Sequence, residues 1–301
     1  MESAALEQRL RDHPGDLAAW HAYGDRLLEQ GDARGTLIRL EQRRARVRPA
    51  DRKALEREIA ALAEKEQRGW DAALPQGVTV LERRYGFAAK VAVEWSEDAP
   101  ALIEEALRGR FVTALQITPP VGDDDDVEED WEEAWAEHDG EPFPSPPVEA
   151  GAFATLDLGR LVELDLSYFP LGTPGAEALA AATGKGRIET LDLRYCGLGD
   201  AGLAALAAAP DFGGVRRLRL QRNRLSAEGV RPLWSFERLT ALDLRYNRIG
   251  EKGTETLLAA PFIGSLTELH LIRADVTAAG VTRLALAPQL APALRNYWRS
   301  V

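Results

Sequence analysis

The sequence predicts an α/β fold, a solenoid with parallel strands on its concave side and helices on its convex side, preceded by a small all-helical domain. Three observations lead there. An apolar pattern recurs every 24 or 27 residues over 161–290, a glycine and a leucine recur in fixed phase with it, and residues 1–74 show helical spacing instead. Composition excludes a mostly disordered chain, because 45% of the 301 residues are hydrophobic and 28% charged, close to globular averages.

In chain order, residues 1–74 read as helices. ESAALEQRLRDH ends before Pro14, and Asp16 is placed to cap LAAWHAYGDRLLEQ, which stops at Gly31. Trp20, Tyr23, Leu27 and Leu28 share one face of that second helix. TLIRLEQRRAR forms a third, and after Pro49 a fourth brings Leu55, Ile59 and Leu62 together.

The second domain is expected over 75–301. FAAKVAVEW (87–95), APALIEEALRG (99–109) and FVTALQIT (111–118) read as strand, helix, strand, degenerate repeats that begin the solenoid near residue 77. Residues 119–150 are expected to be an insertion loop, flanked by prolines and dense in like charge. Its segment 121–141 holds twelve acids and no Lys or Arg. The formal charge of −11 therefore belongs to that segment, since the rest of the chain has 36 acids against 37 bases. Trp131 and Trp135 stand four apart within it, on one face should it form a helix that docks on a partner or on the protein itself.

Five segments then align: LVELDLSYF from Leu161, IETLDLRYC from Ile188, VRRLRLQRN from Val215, LTALDLRYN from Leu239 and LTELHLIRA from Leu266. Apolar residues occupy the first, fourth, sixth and eleventh places, the pattern LxxLxLxxNxL. Fourteen residues after each start comes Gly175, Gly202, Gly229, Gly253 or Gly280, and eighteen after comes Leu179, Leu206, Leu233, Leu257 or Leu284. Alternation at the fourth and sixth places is a strand signal, and the second half of each unit has helical spacing. One such unit cannot bury its own apolar face, so the units must stack.

Residues 161–290 resemble leucine-rich repeats, nearest the ribonuclease-inhibitor-like class with a helix in every repeat. The ninth place, where that family commonly carries Asn, reads Phe169, Cys196, Asn223, Asn247 and Ala274. The outermost units are therefore expected to pack differently, and Cys196 is expected to be a buried structural thiol. DHPGDLAAWHAYGDRLLEQGDARGTLIRLEQ resembles a small helical repeat-companion domain of bacterial repeat proteins, and more distantly a single tetratricopeptide unit. Such a block would cover the open apolar edge of the first repeat.

No enzyme signature is present, and no cofactor is expected. His13, His21, His138 and His270 are scattered and cysteine occurs once, so no metal set forms. TGKGR at 183–187 lacks the phosphate-loop spacing and precedes a strand. A lone cysteine, an amino terminus without a signal-like apolar core, and the lack of a long uncharged apolar run lead to the expectation of a soluble cytoplasmic protein, with no membrane contact.

The candidate site is the concave face, reached by the third, fifth and seventh places of each strand and the eighth beyond them. Its partner-binding residues are taken as Tyr168, Asp192, Arg194, Tyr195, Arg219, Arg222, Asp243, Arg245, Tyr246, His270 and Arg273. Tyr and Arg are the residue types enriched where proteins bind proteins. The expected function is non-catalytic binding of a protein partner. The family resemblance also implies an alternative, regulation of an enzyme, as an inhibitor or as an activator like the Ran GTPase-activating proteins. Nucleic acid is not the expected partner: the basic run from Arg39 to Arg57 is interleaved with Glu41, Asp51 and Glu56 and has no aromatic stacking surface.

Overall fold

The computed structural model describes residues 3–120 and 150–300. The acidic segment 121–141, with Trp131 and Trp135, lies outside the described residues, as does most of the expected insertion. Two compact units result: Met1–Val93 with Ala101–Leu115, and Glu94–Pro100 with Gln116–Val301.

The first unit opens with α1 (Ser3–Asp12), α2 (Leu17–Glu29), α3 (Arg34–Arg46) and α4 (Pro49–Asp71). Asp16 caps α2 by accepting the Ala19 N–H at 2.9 Å, and Pro49 starts α4, where its missing N–H costs nothing. Strands β1 (Val78–Arg84) and β2 (Phe87–Glu94) follow as an antiparallel hairpin. Tyr85 and Gly86 join them with φ of 51° and 81°, the doubly left-handed turn that matches strand twist. α5 (Ala99–Leu107) and β3 (Ala114–Thr118) complete the strand, helix, strand order expected over 87–118.

Trp20 of α2 lies 4.7 Å from Tyr85 and 4.9 Å from Phe111 between ring centroids, and Phe87 lies 4.8 Å from Phe111. Leu6, Leu10, Leu27 and Ile38 close the same core. The apolar face of α2 thus buries against the hairpin and the chain after α5, and α1, α2 and α3 share their core with those segments. β1, moreover, pairs antiparallel and belongs to no repeat.

In the second unit, β4 (Glu163–Asp165), β5 (Thr190–Asp192), β6 (Arg217–Arg219), β7 (Ala241–Asp243) and β8 (Glu268–His270) pair in parallel, each with the next. The register is constant. Leu164, Leu191, Leu218, Leu242 and Leu269 stand side by side, as do Asp165, Asp192, Arg219, Asp243 and His270. The leucine column is buried throughout, each side chain stabilising by roughly 1.5–3 kcal/mol.

Crossing back behind the sheet are α6 (Gly172–Ala181), α7 (Gly199–Ala208), α8 (Gly250–Leu258) and α9 (Arg273–Leu286), and the second unit ends in α10 (Pro292–Ser300). The third repeat departs from the strand-plus-α-helix unit. It is the short one, 24 residues long, and its return segment Glu228–Ser235 is a 3₁₀ helix containing Pro232, which has no N–H to donate. The recurring glycine marks close approach of successive returns: a methyl at Gly229 would lie 2.2 Å from Oδ1 of Asp200, and one at Gly280 would lie 2.9 Å from Oγ1 of Thr254.

The ninth places show why the outer repeats differ. Asn247 accepts the N–H groups of Asn223 and Leu225 at 3.0 Å each and donates to the carbonyls of Leu220 and Leu244. Asn223 accepts the Leu198 N–H at 3.2 Å and donates to Leu193. Cys196 is fully buried, its thiol donates to the Leu166 carbonyl at 3.0 Å, and burial pushes its pKa up. Phe169 instead enters an aromatic cluster with Trp95 and Phe153, whose rings stack at 4.2 Å. Ala274 lies in the first turn of α9.

Candidate functional site

The strand ladder continues three places past each of the short strands β4, β5 and β6. The N–H of Tyr168 donates to the Arg194 carbonyl, that of Tyr195 to Gln221, and that of Arg222 to Arg245, at 2.8–3.1 Å. To make this bond and then turn away behind the sheet, the eighth residue takes a left-handed conformation. The φ values are 65° at Tyr168, 58° at Tyr195, 50° at Arg222 and 61° at Tyr246. That conformation costs a side-chain-bearing residue roughly 1–2 kcal/mol. Four consecutive repeats hold a large residue there.

These side chains form a continuous edge. Tyr168 and Tyr195 stack with centroids 4.5 Å apart and planes within 15°. The Arg222 guanidinium lies 5.8 Å from the Tyr195 ring and 5.1 Å from the Tyr246 ring, a cation between two aromatic faces. Its Nε is buried without a hydrogen-bond partner among the described residues. Arg273, eighth place of the last repeat, leaves this column and begins α9 instead.

Inside the edge, arginines rest on aspartates. Asp192 is 2% exposed and receives Nε of Arg194 at 2.8 Å and Nη1 of Arg219 at 2.9 Å. Asp243, 7% exposed, takes a bidentate contact from Arg245, with Nη2 at 2.7 Å. The carboxylates raise the pKa of Arg194 and Arg245. The buried aspartates orient the guanidiniums, and Arg194, Arg219 and Arg245 line a hollow of about 300 Å³. Exposed Arg217 also lines it, 3.9 Å from Glu268, and His270 stands 4.0 Å from the same carboxylate.

The expected site residues thus fall in three groups. Tyr168, Tyr195, Arg222 and Tyr246 form the edge; Arg194, Arg219, Arg245 and His270 line the hollow; Asp192 and Asp243 lie beneath as positioning groups. Arg273 joins neither set. Arg217 belongs to the hollow, and its third-place position was the available signal. Lys185 of TGKGR is buried, donating to the Ala182 carbonyl and pairing with Asp211 at 3.8 Å, so its ammonium is used internally. Among the described residues no group of three metal-ligating side chains forms, and no helix is long and apolar enough to cross a membrane.

The family described as Leucine Rich repeat matches residues 188–207 and 239–258. These are leucine-rich repeats. They coincide with the second and fourth aligned units, β5 with α7 and β7 with α8, and the constant register extends the leucine-rich repeat solenoid over all five. No curated protein matches the chain. Leucine-rich repeats generally serve as protein–protein interaction modules, through the extended concave surface that stacking creates.

Proposed function

We propose that this leucine-rich repeat protein is a non-catalytic interaction module that binds a protein partner through the concave face of β4–β8, within a solenoid of the ribonuclease-inhibitor-like kind. One observation carries the reading: the edge Tyr168–Tyr195–Arg222–Tyr246 holds large side chains in a backbone conformation that disfavours them. Stability alone would place glycine or asparagine there. Rigid rings and a preoriented guanidinium lose little entropy on binding, as an interaction anchor requires. The lone, buried Cys196 goes with a cytoplasmic setting.

Affinity capture with the full chain, read by mass spectrometry, tests this. Arg222→Glu with Arg245→Glu is expected to abolish capture, with circular dichroism identifying the folded double variant, and Arg222→Glu alone, which leaves Asp243 paired with Arg245, is expected to weaken capture. Capture that persists in the folded double variant refutes the concave-face reading.

A further inference from the structure

The concave face presents a charge that its composition conceals. Its central acids, Asp192 and Asp243, are buried beneath the arginines they orient, whereas Arg217 and Arg219 are exposed and Arg194 and Arg245 are half-buried. The guanidinium of Arg222 has no hydrogen-bond or ion-pair partner among the described residues. The exposed acid of the lining is Glu268, beside Arg217 at 3.9 Å, so solvent meets four arginines against one exposed carboxylate, a hollow of basic excess beside an aromatic edge.

We propose that the occupant of this hollow is the chain's own acidic segment 121–141, which makes the segment an intramolecular competitor for the partner site. The inference rests on the reading of this face as a binding face. Charge complementarity is its first support: the segment carries twelve carboxylates and no Lys or Arg, while the remainder of the chain sums to about zero. Its residue types are the second, since Trp131 and Trp135 supply rings for an edge of tyrosines and arginine. Reach is the third. The flanking residues Pro120 and Ala150 belong to the same compact unit as the hollow, and the 29 residues between them extend to at most roughly 100 Å. Tethering raises the local concentration of the segment to about the millimolar range, so contacts too weak to act between molecules act here. Salt weakens them, because much of the face is solvent-exposed.

The test uses a fluorescent peptide of residues 121–141 and two full-length chains, wild type and one with the twelve acids replaced by Asn and Gln. Anisotropy at low salt is expected to show binding to the neutralised chain and about tenfold weaker binding to the wild type, whose site is already filled. Arg217→Gln with Arg222→Gln, placed in the neutralised chain, is expected to lower affinity about tenfold or more. Neither side chain holds a buried carboxylate, and Arg217→Gln alone, at an exposed position, serves as a second variant. No binding to the neutralised chain, equal binding by both chains, or indifference to the arginine changes overturns the proposal. If the peptide fails while partner capture still depends on Arg222 and Arg245, this inference alone falls. If capture is also independent of those residues, the preceding reading falls with it.

Discussion

The carboxylate of Asp275 accepts the backbone N–H of Tyr246 at 2.9 Å. In the three preceding repeats the equivalent N–H donates to a carbonyl of the next repeat. A side chain thus replaces a carbonyl where the ladder ends, and the same oxygen takes the Ile272 N–H at 3.1 Å, at the start of α9. Asp275 is only 4% exposed. Burial raises its pKa to about 6, Asp243 adds to the rise, and the N–H groups of Ile272, Tyr246 and Asn247 oppose it.

This sets a pH dependence with a definite sign. The folded state holds the Asp275 proton more tightly than the unfolded chain, whose value is near 3.8. The corresponding stability is fully present below pH 3.8 and is lost as pH rises through about 6, an effect on the order of 3 kcal/mol. Asp275→Asn keeps an accepting oxygen and removes the titration. Urea melts between pH 4 and pH 7 are expected to show the variant gaining on the wild type as pH rises. Parallel curves would contradict the assignment.

Thr277 occupies a glycine position. At the twelfth place of their repeats Gly172, Gly199 and Gly250 have φ of 59°, 61° and 62°, and Thr277 has φ 66° with ψ 168°. That region is nearly closed to a β-branched residue and costs about 1–3 kcal/mol. Thr277→Gly is expected to stabilise by about 1 kcal/mol, raising Tm by roughly 2–4 °C in a thermal melt. An unchanged or lowered Tm would count against it.

At Gly229 the expectation reverses. An added methyl meets Oδ1 of Asp200, whose carboxylate also receives the N–H and hydroxyl of Ser226. Gly229→Ala is expected to destabilise by about 1–3 kcal/mol through displacement of that carboxylate. Paired with Asp200→Ala in a double-mutant cycle, most of the methyl's cost should disappear; additive losses would locate the clash elsewhere.

Asn247→Ala removes the acceptor of two buried N–H groups, those of Asn223 and Leu225. Each orphaned group costs about 1–3 kcal/mol, so a loss on the order of 3–5 kcal/mol is expected. Asn247→Cys should lose less, since Cys196 occupies the same place in the second repeat and donates to the Leu166 carbonyl. Equal losses in denaturant melts would show that the two places are not equivalent.

Much of the fold was legible because stacking enforces repetition. Once Leu164, Leu191, Leu218, Leu242 and Leu269 are aligned by periodicity, the parallel register follows, and with it which side chains share the open face. Contacts outside the period were not legible. Phe87 and Phe111 fit a strand pattern, yet their rings bury among helices far away in sequence. The Tyr85–Gly86 turn carried a local signal in its glycine, overlooked because β2 read as the start of a repeat. Asp192 and Asp243 were read as contact residues because alternation gives the side of a sheet and not the depth beneath a neighbouring arginine. Asp275 had no signal, since a side chain standing in for a carbonyl leaves no mark on spacing.

The constant pairing of β4 through β8 also makes the open face a measuring scale. Its divisions are the distance between adjacent strands, about 4.8 Å, with one residue of each column per division. An extended chain laid across the strands offers same-side residues about every 6.7 Å and loses step after one or two divisions. An α-helix advances 5.4 Å per turn and drifts out of phase more slowly. In that geometry, a helix crossing the strands keeps its side chains opposite successive rungs for longer than an extended segment does.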